Sequence, residues 1–81
     1  MNRVHSFDLG ERVTVFQMSV SKGLLIEGRA SIVGIVEDVD EYYMVRFDSD
    51  EPDETYARFI DKEGQTDPDQ YVREVNKKIG R

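Results

Sequence analysis

The sequence predicts an all-β fold, a small barrel of about four to five antiparallel strands, followed by one short C-terminal α-helix. Three observations lead there. Between residues 10 and 60, short segments rich in Val, Ile, Tyr and Phe place apolar residues at alternate positions. Polar or glycine-containing stretches separate these segments. After Asp67 the apolar spacing lengthens to that of a helix.

The elements follow in chain order. "GERVTVF" alternates Val13 and Val15 against Thr14 and Phe16 and reads as the first strand. "QMSVSKGLLIEG" is too long for a tight turn, and Leu24 to Ile26 within it is expected to form a short strand of its own. "RASIVGIVE" is apolar on both registers, as in a strand buried on two sides, and Gly34 inside it marks a bulge or bend. "EDVDE" is a polar turn. "EYYMVRF" sets Tyr43, Val45 and Phe47 on one face and Tyr42, Met44 and Arg46 on the other. After an acidic loop, "ETYARFI" places Thr55, Ala57 and Phe59 opposite Tyr56, Arg58 and Ile60. A helix is predicted over residues 67 to 79. Asp67 is its N-cap, Pro68 its first residue and Gln70 the capping-box partner. Tyr71, Val72, Val75 and Ile79 form its apolar face, Lys77 and Lys78 complement its dipole, and Gly80 ends it. So short a helix is marginal alone, so its apolar face must dock on the sheet or plug an open barrel end.

With 81 residues and no cysteine, residues 1 to 81 make one domain held without disulfides or a Cys-based zinc site. A chain of this size buries only ~60% of its unfolded surface, which leaves little room for a large active-site cavity. No apolar run fits a signal peptide or a membrane span, so a soluble cytoplasmic protein is expected.

The net charge of −6 is unevenly distributed. Residues 37 to 69 carry thirteen acidic groups against Arg46, Arg58 and Lys62, whereas the segments on either side are net basic. Nine carboxylates fall within residues 37 to 54: Glu37, Asp38, Asp40, Glu41, Asp48, Asp50, Glu51, Asp53 and Glu54. They lie in the two loops flanking the strand 42 to 47, so the loops stand ~20 Å apart. Such a hairpin would steer the protein toward a basic surface on a protein partner, although the same charge also serves solubility.

The other chemistries test poorly. His5 is the only histidine and no cysteine exists, so a nucleophile with a positioned base is not expected, and the chain reads as a non-enzyme. The glycines at 10, 23, 28, 34, 64 and 80 match neither a phosphate loop nor a dinucleotide fingerprint. Read as a calcium loop from Asp48, the sequence fails at Pro52, Asp53 and Phe59; read from Asp38, it fails at Tyr42. No metal or cofactor is therefore expected. Tyr42, Tyr43, Phe47 and Tyr56 are candidates for a cage around a methylated cation, but a chain without Trp also needs such aromatics in its core. Leu24, Leu25 and Ile26, if exposed together, would form an apolar contact patch suited to self-association, and the chain is expected to be a monomer or weak homodimer.

"GERVTV", "KG" at Lys22 and Gly23, and "GRASIVGI", followed by the "EYYMVRF" and "ETYARFI" hairpin, resemble the small SH3-like barrels, including their KOW and Tudor branches, over roughly residues 8 to 60. The chain differs from KOW in holding "LLIE" between Lys22-Gly23 and Gly28. The KOW resemblance implies a nucleic-acid or transcription/translation-associated module with Lys22, Arg29, Lys77 and Lys78 on the nucleic acid. The acidic hairpin argues against direct nucleic-acid binding. The layout, with "YVREVN" near the end, also looks like short bacteriophage and prophage proteins, which suggests an accessory or inhibitor protein.

Overall fold

The computed structural model describes residues 3–49 and 51–80. Four strands form one antiparallel sheet in the order β1-β2-β3-β4: β1 (Arg12–Ser19), β2 (Gly23–Ile35), β3 (Tyr42–Phe47) and β4 (Tyr56–Phe59). A 3-10 turn (Lys62–Gly64) and one α-helix, α1 (Pro68–Lys78), follow. The sheet curls into a half-barrel.

The curl originates in β2. Val15 pairs with Gly28 but Phe16 pairs with Ile26, so Glu27 is an extra residue; Ile32 pairs with Val45 but Gly34 with Met44, so Val33 is another. Each bulge bends its strand and increases the local twist. The second lies at the Gly34 bend anticipated from the sequence. Leu24 to Ile26 is not a separate strand. It is the beginning of β2, because the alternation of Phe16 and Met18 against Ile26 and Leu24 continues the pairing down to a short turn at residues 20 to 22.

The inner face carries the core: Val13, Val15, Ala30, Ile32, Tyr43, Val45 and Phe47, joined by Phe7 and Ile60 from outside the strands. Tyr43, Val45 and Phe47 are buried, as the alternation of β3 predicts.

The Asp67 side chain caps α1, accepting from the Gln70 N–H at 3.1 Å. Gln70 does not close a capping box, because its amide instead donates to Glu74 one turn on, at 3.0 Å. The helix lies outside the β1–β2 hairpin, where Tyr71 meets the Phe16 ring edge-on at 5.0 Å. Tyr71, Val72 and Val75 are half-buried and Ile79 is exposed.

Two side-chain amides complete the docking by imitating a neighbouring strand. Gln65 accepts from the Thr14 N–H at 2.7 Å and donates to the Thr14 carbonyl at 2.9 Å. Asn76 accepts from the Leu24 N–H at 2.7 Å and donates to the Leu24 carbonyl at 3.1 Å. These contacts satisfy strand groups that would otherwise form an open edge. Asn76→Ala is expected to cost about 1–3 kcal/mol by stranding the Leu24 backbone groups. Amide hydrogen exchange checks it: exchange at Leu24 accelerates while exchange at Val45 in the core follows only the global loss of stability.

Candidate functional site

The nine carboxylates of residues 37 to 54 divide by what their oxygens touch. Asp40 Oδ1 accepts from the Val4 N–H at 2.8 Å. Glu41 Oε1 accepts from the Ser6 N–H and the Tyr43 hydroxyl, both at 2.7 Å. The Glu41 backbone donates to the Val4 carbonyl at 2.8 Å and accepts from the Ile60 N–H at 3.0 Å. Four contacts thus hold Glu41 in a left-handed conformation, φ 53°, that a residue with a side chain rarely adopts. Burial pushes its pKa up, but the hydrogen bonds from Ser6 and Tyr43 and the nearby His5 outweigh that and leave it lowered. Asp40 and Glu41 therefore tie the N-terminal segment to the β2–β3 loop.

At the other end of β3, Asp48 forms an ion pair with Arg12, and Glu54 accepts from the Tyr56 hydroxyl at 3.1 Å. Glu37, Asp38, Glu51 and Asp53 are exposed and, among the described residues, make no side-chain hydrogen bond or ion pair. Asp50 lies outside the described residues. Among the described residues no three His, Asp or Glu side chains are grouped to hold a metal ion.

The other candidates disperse. Leu24 is buried at 6% exposure, while Leu25 and Ile26 are 38% and 41% exposed. Leu25 and Ile26 are consecutive on a strand and face opposite sides, so the three residues do not make one patch. Lys22 lies in the β1–β2 turn, and the Asn76–Leu24 contact brings the helix end with Lys77 and Lys78 toward the same end of the molecule. Arg29 stands apart, on the outer face of β2, donating to the Thr14 hydroxyl at 2.8 Å.

The aromatic candidates for a cage also separate. Tyr43 is wholly buried, and Tyr42 lies on the outer face against Phe59 at 4.5 Å. Phe47 and Tyr56 do approach each other, at 5.9 Å, but the Arg58 guanidinium already stands 5.8 Å from one ring and 5.4 Å from the other. Arg58 grips Glu27 through two hydrogen bonds of 2.9 Å. With Ser49 these residues line an open groove of about 330 Å³. The ion pair links β4 to β2 over Phe47, made possible because the bulge gives Glu27 a direction outside the strand's alternation. Sequence reading missed this latch, since nothing in "LLIEGR" shows that Glu27 is the extra residue.

His5 is half-buried. Its Nε2 donates to the Val36 carbonyl at 3.0 Å and its ring meets Tyr43 edge-on at 5.4 Å, a packing role at the barrel end. Among the described residues no helix is long and apolar enough to cross a membrane. No protein-family model matches the chain, and neither a curated protein nor a solved structure matches it.

Proposed function

We propose that this protein is a non-enzymatic binding module of the SH3-like kind that engages a basic, nucleic-acid-handling protein through its acidic hairpin, acting in the cytoplasm as a phage or mobile-element accessory or inhibitor. One observation carries the reading. Glu37 and Asp38 at one end of β3, and Glu51 and Asp53 at the other, are exposed and unneutralised by any described cation, while the strand between them is fixed in the sheet. Two anionic ends ~20 Å apart on a rigid strand steer a basic surface and set its orientation.

The division of the carboxylates determines the test. Reversing Glu37, Asp38, Glu51 and Asp53 to lysine leaves the bonds of Asp40, Glu41 and Asp48 intact, so the chain is expected to fold with a thermal midpoint close to that of the parent. Affinity capture from a host lysate is expected to recover a basic partner with the parent protein and to lose it with the reversed form. A partner held equally by both forms removes the acidic loops from the interface.

A further inference from the structure

The outer face of the sheet carries a feature of opposite sign. Arg12 pairs with Ser31 and Ser31 with Arg46, so these three residues form one row across β1, β2 and β3. In the next row Thr14 pairs with Arg29, and the Asp48 N–H donates to the Arg29 carbonyl at 3.0 Å. Directly paired residues share a face, so three exposed arginines stand together on a chain of net charge −6. Two strand spacings separate Arg12 from Arg46, ~10 Å between their backbones, with Arg29 one row away.

The partners of these arginines leave them available to an anion. Arg46 makes no hydrogen bond or ion pair among the described residues. Arg29 is oriented by the neutral Thr14 hydroxyl, and Arg12 holds Asp48 in an exposed pair that solvent weakens.

A second observation narrows the ligand. Tyr42, Met44 and Arg46 lie on the same face of β3, and Tyr42 packs against its cross-strand partner Phe59, which is 59% exposed. An exposed aromatic thus stands ~14 Å along the strand from the arginine rows, a span of about two extended nucleotides. Guanidinium groups that bind phosphate in a fork, beside a ring on which a base can stack, are what single-stranded nucleic acid requires of a protein.

We propose that this outer face binds single-stranded nucleic acid, with phosphates on Arg12, Arg29 and Arg46 and a base on Phe59. Asp48 lies within the site, paired with Arg12, and a phosphate must displace it there; the acidic groups farther along the loop are screened beyond ~8 Å at physiological salt. The surface shares no residue with the four free carboxylates, so either proposal can fail without the other.

Fluorescence anisotropy with labelled oligothymidylate of about twelve nucleotides tests it, across a salt series starting near 20 mM. The expected result is binding that weakens with salt at a log–log slope of about −2, as for three phosphates on a single strand. Arg46→Ala is expected to weaken binding ~10-fold and to reduce the slope by ~0.7, and Phe59→Ala to weaken it ~5-fold or more. Both side chains are exposed, and circular dichroism confirms that the variants fold. Lys77→Ala with Lys78→Ala removes more charge from a different surface and is expected to change affinity less than Arg46→Ala alone. Absence of binding at the lowest salt overturns the proposal. So does indifference to Arg46→Ala and Phe59→Ala, or equal competition by polyglutamate of the same charge.

Discussion

Tyr43→Phe is expected to destabilise the protein by about 2–3 kcal/mol, although it removes a single oxygen atom. That hydroxyl is wholly buried; it donates to Glu41 at 2.7 Å and accepts from the Phe7 N–H at 3.1 Å. Without it the buried Phe7 N–H loses its acceptor and Glu41 one of its two side-chain donors. For a domain of this size the thermal midpoint is expected to fall by roughly 10–20 °C.

The pH dependence carries the same signature. Burial, followed by the hydrogen bond to the Glu41 carboxylate, pushes the Tyr43 pKa up to about 12 from the ordinary tyrosine value of 10.0. The folded protein keeps a proton that the unfolded chain releases. The associated stability is complete below pH ~10, is lost as pH rises from there to about 12, and amounts to roughly 2–3 kcal/mol. Tyr43→Phe is expected to remove this part of the alkaline loss, leaving that of Tyr71, whose pKa is also raised by burial and by Asp61. Glu41 acts in the opposite direction. Its lowered pKa contributes stability above the ordinary carboxylate value of 4.5, and this is lost as pH falls through the folded value. Denaturant unfolding of the parent, Tyr43→Phe and Glu41→Gln across pH checks both limbs. An unchanged alkaline limb in Tyr43→Phe contradicts the assignment.

Gly64→Ala is expected to cost about 1–3 kcal/mol and to loosen α1 from the sheet. Gly64 is buried between two rings, and a Cβ there would lie 2.6 Å from Phe16 Cε2 and from Tyr71 Cδ2. Contacts so short force both rings, or the Gly64 backbone between them, to move. The rings themselves meet edge-on, so the movement separates the helix from β1. Because part of the clash is with Phe16, the effects of Gly64→Ala and Phe16→Ala are not additive, although the contact with Tyr71 remains. The double variant is expected to be more stable than the sum of the single losses predicts, as a thermal double-mutant cycle measures. Additive losses would place the origin of the destabilisation elsewhere.

Local chemistry accounts for what was readable in the sequence. The β3 alternation reports directly on which residues are buried, because a half-buried strand has two faces. Asp67 and Pro68 specify the start of α1 through a cap and a fixed φ, and Gly34 marks the second bulge. The remainder depends on tertiary partners. The extent of the β1–β2 hairpin is set by pairing of Met18 with Leu24, whose backbone the helix holds through Asn76, and no local signal separates this stretch from a loop. Gln65 and Asn76 are ordinary polar residues until their amides meet free strand edges. Among the carboxylates the sequence shows the charge but not its use: Glu41 holds the N-terminal segment, whereas Glu37, Asp38, Glu51 and Asp53 face solvent. The arginine rows are likewise invisible in one dimension, since Arg12, Arg29 and Arg46 meet only through register.

The proposed partner is a basic protein that meets the two ends of β3. Hydrogen exchange of the protein alone and in complex with the captured partner tests this most directly. Slowed exchange is expected within residues 37–39 and 51–54, with α1 and the outer arginine rows unchanged. Slowing confined to α1 or to the outer face, with both acidic loops exchanging as in the free protein, would contradict it.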